Sequence, residues 1–218
     1  MKKIVFFSLL LLFINTVAQA QVKQIFTEDK QFAGGIFLGA NLSQVDGDNR
    51  GGYNKVGLRS GAVVYYKFGE NPWIAQFELV YSQKGSFDNT IQGSNVGNFI
   101  EKYRLNVNYF QVPLIINYFY NNKYLLGIGG AYNALINSKE IIHSINGTGN
   151  FDPSVFRFER HTFDVVFNGA IHFKNNYIFS VRYEKGVVPM RLFQNTVQGL
   201  AGGDQYNNTL TVGLTYMF

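Results

Sequence analysis

The chain of 218 residues contains no cysteine. Disulfides and thiolate-based metal or redox sites are therefore excluded in any compartment, and so is a lipid-modified N-terminal cysteine. Charge is scarce, at 15% Asp, Glu, Lys and Arg, and no Lys/Arg run occurs anywhere. The formal balance of +5 falls to +3 when Lys2 and Lys3 are set aside, because 17 basic and 14 acidic residues remain. A balance that mild gives no reason to expect nucleic acid as a partner. After residue 20 no long uninterrupted apolar stretch occurs, so a membrane-spanning helix, which needs about 20 such residues, is excluded. Histidine occurs only at His143, His161 and His172, and no two of these have metal-ligand spacing.

Aromatic residues make up 17% of the chain, and there are 23 glycines. That mix suits strands and turns. The first 20 residues form a separate unit. Lys2 and Lys3 are followed by an apolar core from Ile4 to Ile14, broken only by Ser8, and then by Asn15-Thr16-Val17-Ala18-Gln19-Ala20. A basic start, an apolar core and a small-x-small ending are the parts of a secretory signal peptide, with cleavage expected before Gln21. The apolar core is too short to be a retained membrane anchor. Residues 1–20 are thus read as a signal peptide and 21–218 as one domain.

In that domain the recurring pattern has period two. In the last segment Leu210, Val212, Leu214, Tyr216 and Phe218 lie on one face, and Thr209, Thr211, Gly213, Thr215 and Met217 on the other. Tyr177, Phe179, Val181 and Tyr183 oppose Ile178, Ser180, Arg182 and Glu184. Phe163, Val165, Phe167, Ile171 and Phe173 oppose Thr162, Asp164, Asn168, Ala170 and His172. Similar alternation begins near Ile36, Leu58, Trp73, Phe110 and Tyr124, giving about eight strands, each able to supply the ~9–11 residues that a tilted strand needs to cross a bilayer.

A soluble sandwich or lipocalin-like barrel would bury the apolar face, whereas a membrane barrel turns it toward lipid. Three features favour the second. Aromatics sit near strand ends on the apolar face, as at Trp73 and Tyr81, Tyr124 and Tyr132, and Tyr177 and Tyr183, where interfacial girdles belong. The opposite face mixes small residues with Arg59, Lys67, Glu78, Lys84, Asp164, Arg182 and Glu184. Such charges must be paired in a narrow lumen, although a solvated soluble sheet would carry them too. Connections also alternate in length: those at 68–72, 120–123 and 174–176 are tight, while 44–55, 83–103, 137–160 and 187–208 are long and polar. Outer-membrane barrels have short periplasmic turns and long external loops. The expected fold is therefore all-β: an eight-stranded antiparallel up-and-down transmembrane barrel in the outer membrane of a Gram-negative bacterium. Ending on Phe218 suits a strand that closes the barrel. Pro113 inside a strand predicts a bulge near it.

The alternation from Leu210 through Val212, Leu214 and Tyr216 to Phe218 resembles the signal that outer-membrane proteins present to the barrel-assembly machinery. Leu105-Asn106-Val107-Asn108-Tyr109-Phe110-Gln111-Val112-Pro113-Leu114 is similar to a strand motif, LxYLEIPL, of the Bacteroidetes outer membrane protein beta-barrel family, the PorT-like small outer-membrane barrels. Gln111 stands where those chains commonly have an acidic residue. The resemblance implies export, insertion by the assembly machinery, and outer-membrane lipid as surroundings.

No catalytic set emerges. Asp164 and His172 share a face but are eight residues apart, which is about 26 Å of strand. Ser144 beside His143 is a weak hint of catalysis. Asp46-Gly47-Asp48-Asn49 lacks the remaining ligands of a calcium loop and reads as a polar turn. No catalytic residue, cofactor or metal is expected. The leading expectation is a structural or interaction barrel whose long loops bind an external ligand or support an envelope complex. An enzyme acting on lipid or peptide is the alternative, and a small pore comes after it.

Overall fold

The computed structural model describes residues 31–89, 92–93, 99–144, 147–150, 157–173, 176–195 and 202–218. Eight long strands carry the architecture: β1 (Phe32–Asp46), β2 (Lys55–Lys67), β3 (Trp73–Asp88), β5 (Phe99–Tyr120), β6 (Tyr124–Ser144), β8 (His161–Phe173), β9 (Tyr177–Gly186) and β10 (Tyr206–Met217). Two short strands, β4 (Gln92–Gly93) and β7 (Gly147–Asn150), pair with β5 and β6 respectively. Each long strand pairs antiparallel with its chain neighbour, and β1 pairs with β10 from Gly35↔Met217 to Asp46↔Tyr206. The sheet is therefore a closed eight-stranded up-and-down barrel with no open edge among its long strands.

Alternation dictates which way the barrel is dressed. Leu38 (63% exposed), Leu126 (66%) and Ile128 (57%) stand on the outer wall, while Arg59, Glu78 and Lys84 are fully buried inside. Water would not tolerate so continuous an apolar exterior; hydrocarbon does. Rings gather at the short-turn end of the wall, where Trp73 packs edge-on against Tyr118 at 5.2 Å and Tyr177 lies tilted against Tyr216 at 5.2 Å. Tight turns there use left-handed Asn121 (φ 50°) and Asn122 (φ 52°), conformations that Asn tolerates better than most residues.

Two expectations are corrected. The segments 83–103 and 137–160 carry more strand than expected: β3 continues to Asp88, β5 begins at Phe99 and β6 runs to Ser144. The outward-apolar signature ends where the strands leave hydrocarbon, and in β5 it inverts. Tyr103, Leu105 and Val107 point inward and are buried, while Arg104, Asn106 and Asn108 point outward. Pro113 also causes no bulge, because its pairing with Ala131 lies in an unbroken register. Toward β3, the ladder omits the positions opposite Glu78 and Leu79, so the missing amide is accommodated by a gap in pairing without a register slip. Register shifts lie higher: Tyr109 pairs with Leu135 but Asn108 with Asn137, leaving Ile136 as the extra residue, and a second shift falls between Ile100 and Lys102.

Candidate functional site

The lumen is filled in layers. At the short-turn end Val63, Tyr65, Ile74, Phe119, Leu125, Ile178 and Met217 form an apolar plug. Above it an amide chain crosses the barrel. Asn168 Nδ2 donates to Asn117 Oδ1 (3.1 Å), and Asn117 Nδ2 donates to Gln76 Oε1 (2.9 Å).

The next layer is ionic. Arg59 bridges Glu184 at 2.9 Å and Glu78 at 3.1 Å. Lys84 bridges Asp164 at 2.6 Å and Glu184 at 2.8 Å. Arg182 holds Glu78 through both terminal nitrogens, at 2.8 and 2.5 Å. Three cations thus face three carboxylates, and the layer is formally neutral. Gln111 completes it: its amide nitrogen donates to Glu184 at 2.9 Å, and its carbonyl oxygen accepts from Arg59. An acid at this position would add a fourth negative charge to a balanced set. Such burial is tolerable only because every ion is matched, since an unmatched buried charge costs several kcal/mol.

A second apolar layer closes the lumen above the ions, built from Val45, Tyr103, Leu105, Val107, Tyr109, Ile142 and Met190. Over it the long-loop rim folds inward. Arg191 makes a paired contact with Glu140 (2.8 and 3.0 Å), and its Nε donates to Gln205 (2.9 Å). Tyr103 donates its hydroxyl to the same Glu140 at 2.6 Å. Arg50 bridges Asp88 at 3.2 Å and lies over the Tyr103 ring at 4.4 Å. Nearby, Asp48 accepts a hydrogen bond from the Arg50 amide at 2.9 Å. Burial nevertheless pushes its carboxyl up to about 6, more than Ser86 and Arg50 offset. Gly47 and Asn49 both have positive φ (90° and 57°), so Asp46–Asn49 forms a turn.

Leu210, Val212, Leu214 and Tyr216 stand on the outer face of β10, and Phe218, just past its end, continues the row and donates its amide to Gly34 O at 2.9 Å. Arg59, Glu78, Asp164, Arg182 and Glu184 converge in the ionic layer. The histidines do not converge. His172 is buried near the short-turn end, His161 meets the Tyr132 hydroxyl at 2.6 Å, and His143 pairs in register with Lys102. No cluster of three or more potential metal ligands occurs among the described residues. The side chain of Ser144 lies outside the described residues. The pairs Arg191–Glu140 and Arg50–Asp88 were not singled out from the sequence. The one signal for them was isolated charge and bulk, such as Met190-Arg191, inside segments that otherwise read as polar loop.

A family model described as outer membrane protein beta-barrel domain matches residues 18–190. No curated protein matches. Among solved structures, the chain is similar to Ail, the attachment invasion locus protein of Yersinia pestis, at 14% identity and a TM-score of 0.46, covering 86% of this chain and 99% of that one. It is also similar to Neisserial surface protein A, at 8% identity and a TM-score of 0.49, covering 85% of this chain and 97% of that one.

Proposed function

The chain belongs to the outer membrane protein β-barrel domain family, and from that premise we propose that it is a non-enzymatic barrel whose extracellular end binds a ligand or supports an envelope complex. The protein resides in the outer membrane. The observation that carries the reading is the sealed lumen beside the overlong strands. A neutral ion layer lies between two apolar layers, which leaves little for conduction to use. Meanwhile β5 has 22 residues and β6 has 21, about ten more than a crossing needs. The surplus builds a head outside the membrane.

Catalysis has less support. Asp164 is held by Lys84 and His161 meets Tyr132, and a nucleophile, base and orienting acid in mutual reach is what chemistry would require. Three finer readings belong to the same proposal. Residues 1–20 direct export and are removed. The outward row from Leu210 to Phe218 is read by the barrel-assembly machinery. The Gln111-Val112-Pro113-Leu114 strand motif supports a place among the small PorT-like barrels of Bacteroidetes.

The test is gentle solubilisation of native membranes and mass spectrometry of what co-purifies. A specific envelope partner or external ligand is expected, and shortening the connection between His143 and Arg157 should release it while the barrel stays folded. Stepwise conductance in planar bilayers, or turnover of lipid by the intact protein, would overturn the reading.

A further inference from the structure

We propose that the outer wall of the β2–β3–β5–β6 head, just above the membrane surface, is a seat for the phosphorylated saccharide headgroup of an outer-leaflet glycolipid. This rests on the reading of the extracellular head as the working end.

The level of the site follows from the register. Tyr81 pairs with Phe110 and Tyr132 with Val112, so these outward rings mark the upper aromatic girdle. The next outward position on β3 and β5 is the pair Gln83↔Asn108, about 7 Å further along the strands. Headgroups of the outer leaflet lie at that height.

The chemistry changes abruptly there. Lys55, Gln83, Asn106, Asn108, Asn137 and Lys139 line one groove of about 470 Å³ on the wall. Lys102 and Arg104 stand beside it, both against the Phe87 ring, at 5.8 and 5.4 Å. None of the four cations has an ion-pair partner among the described residues, and no carboxylate lines the groove. In the lumen and at the Arg191 and Arg50 rim, by contrast, each cation meets a carboxylate. Lys55 is the sharpest case: burial and the neighbouring Arg104 guanidinium both push its ammonium below the usual lysine range. An anion in the groove would relieve that repulsion.

The remaining groups suit a sugar. Asn108 donates to Asn137 at 2.6 Å, which leaves the Asn137 amide nitrogen and the Asn108 carbonyl free of that bond and able to meet hydroxyls. Gly85, opposite Asn106, contributes no side chain to the floor. A Cβ there would sit 2.1 Å from the Leu105 carbonyl, and φ is +138°, so the position favours glycine. The groove lies on the side of the barrel at headgroup height, not at its top. A lipid already in the leaflet reaches it without leaving the membrane, whereas a soluble glycan must compete with headgroups for the space.

The experiment uses the purified full barrel in detergent, with bisphosphorylated lipid A carrying its inner-core sugars as the probe. The triple variant Lys55→Gln, Arg104→Gln, Lys139→Gln is compared with Lys123→Gln at the periplasmic turn. Each basic residue facing an anionic lipid surface is worth about fivefold in affinity, so the triple variant should bind roughly a hundredfold more weakly, while Lys123→Gln binds as the parent does. Dephosphorylated lipid should bind weakly to both. Heat-modified gel migration confirms that each variant is folded; if the triple variant is not, Lys139→Gln alone should still lower affinity about fivefold. Equal affinity of parent and triple variant, or an equal loss with Lys123→Gln, would overturn the proposal. So would a soluble phosphorylated oligosaccharide that displaces the lipid at equal concentration. A variant shortened between His143 and Arg157 should keep the lipid even if it loses a protein partner, so the two readings fail separately.

Discussion

Gly39 and Gly213 face each other across the β1–β10 seam, and the Phe37 ring lies over both. A Cβ at Gly213 would stand 2.4 Å from Phe37 Cζ, and one at Gly39 would stand 2.8 Å from it. The ring also backs the ionic layer, with Arg59 Cζ 5.8 Å from its centroid. Gly213→Val should therefore overpack the seam and cost about 1–3 kcal/mol, read as a lowered urea midpoint in detergent micelles. Adding Phe37→Leu should restore part of the loss. Asp48 supports a second prediction at this scale. Its folded carboxyl titrates at about 6, against an ordinary 3.8, so the fold favours the protonated form. The charged form costs nothing below pH 4, the cost grows between about 4 and 6, and it is constant above. Asp48→Asn should raise stability above pH 6 and flatten the profile between 4 and 6, as measured by thermal unfolding across that range.

Among the strands, β10 gives the clearest contrast between its two faces. Leu214 stands on the outer wall, whereas Thr211 points inward and donates its hydroxyl to Asn41 Oδ1 at 2.8 Å. Leu214→Arg should cost about 2–4 kcal/mol if it lies near the bilayer midplane. Thr211→Arg should instead fail by crowding the lumen, with its loss insensitive to bilayer thickness; refolding into lipids of two chain lengths separates the mechanisms. The strands β8, β9 and β10 were legible residue by residue, because hydrocarbon imposes one rule on their outer faces throughout. The upper half of β5 was not. Beyond the membrane the same strand answers to water, so Tyr103, Leu105 and Val107 turn inward and the polar residues outward. The one-residue insertion at Ile136 was equally silent, since its 54% exposed side chain fits either phase. Pro113 was the more conspicuous residue and pointed to the wrong place.

For the molecule as a whole, the lumen charges were legible as a set but not as pairs. Alternation put Arg59, Glu78, Asp164, Arg182 and Glu184 on one face. Who meets whom depends on closure, and the partners lie far apart in the chain: Lys84 reaches Glu184 across 100 residues and Arg59 reaches it across 125. No local pattern carries that information. Removing one member should be severe. Glu184→Gln leaves Arg59 and Lys84 short of a counter-charge and should cost about 3–5 kcal/mol, measured by urea unfolding in lipid vesicles. Arg59→Gln in the same chain should recover part of that loss by restoring the balance.

The ion layer draws on β2, β3, β8 and β9, with Gln111 of β5 between them. A ribbon still lacking β9 would hold Arg59 with Glu78 alone and Lys84 with Asp164 alone, leaving both pairs without Arg182 and Glu184 and turned toward acyl chains. Half-closed intermediates are thus penalised, and the last crossings must arrive almost together. The feature that seals the finished cylinder also makes its insertion nearly all-or-none.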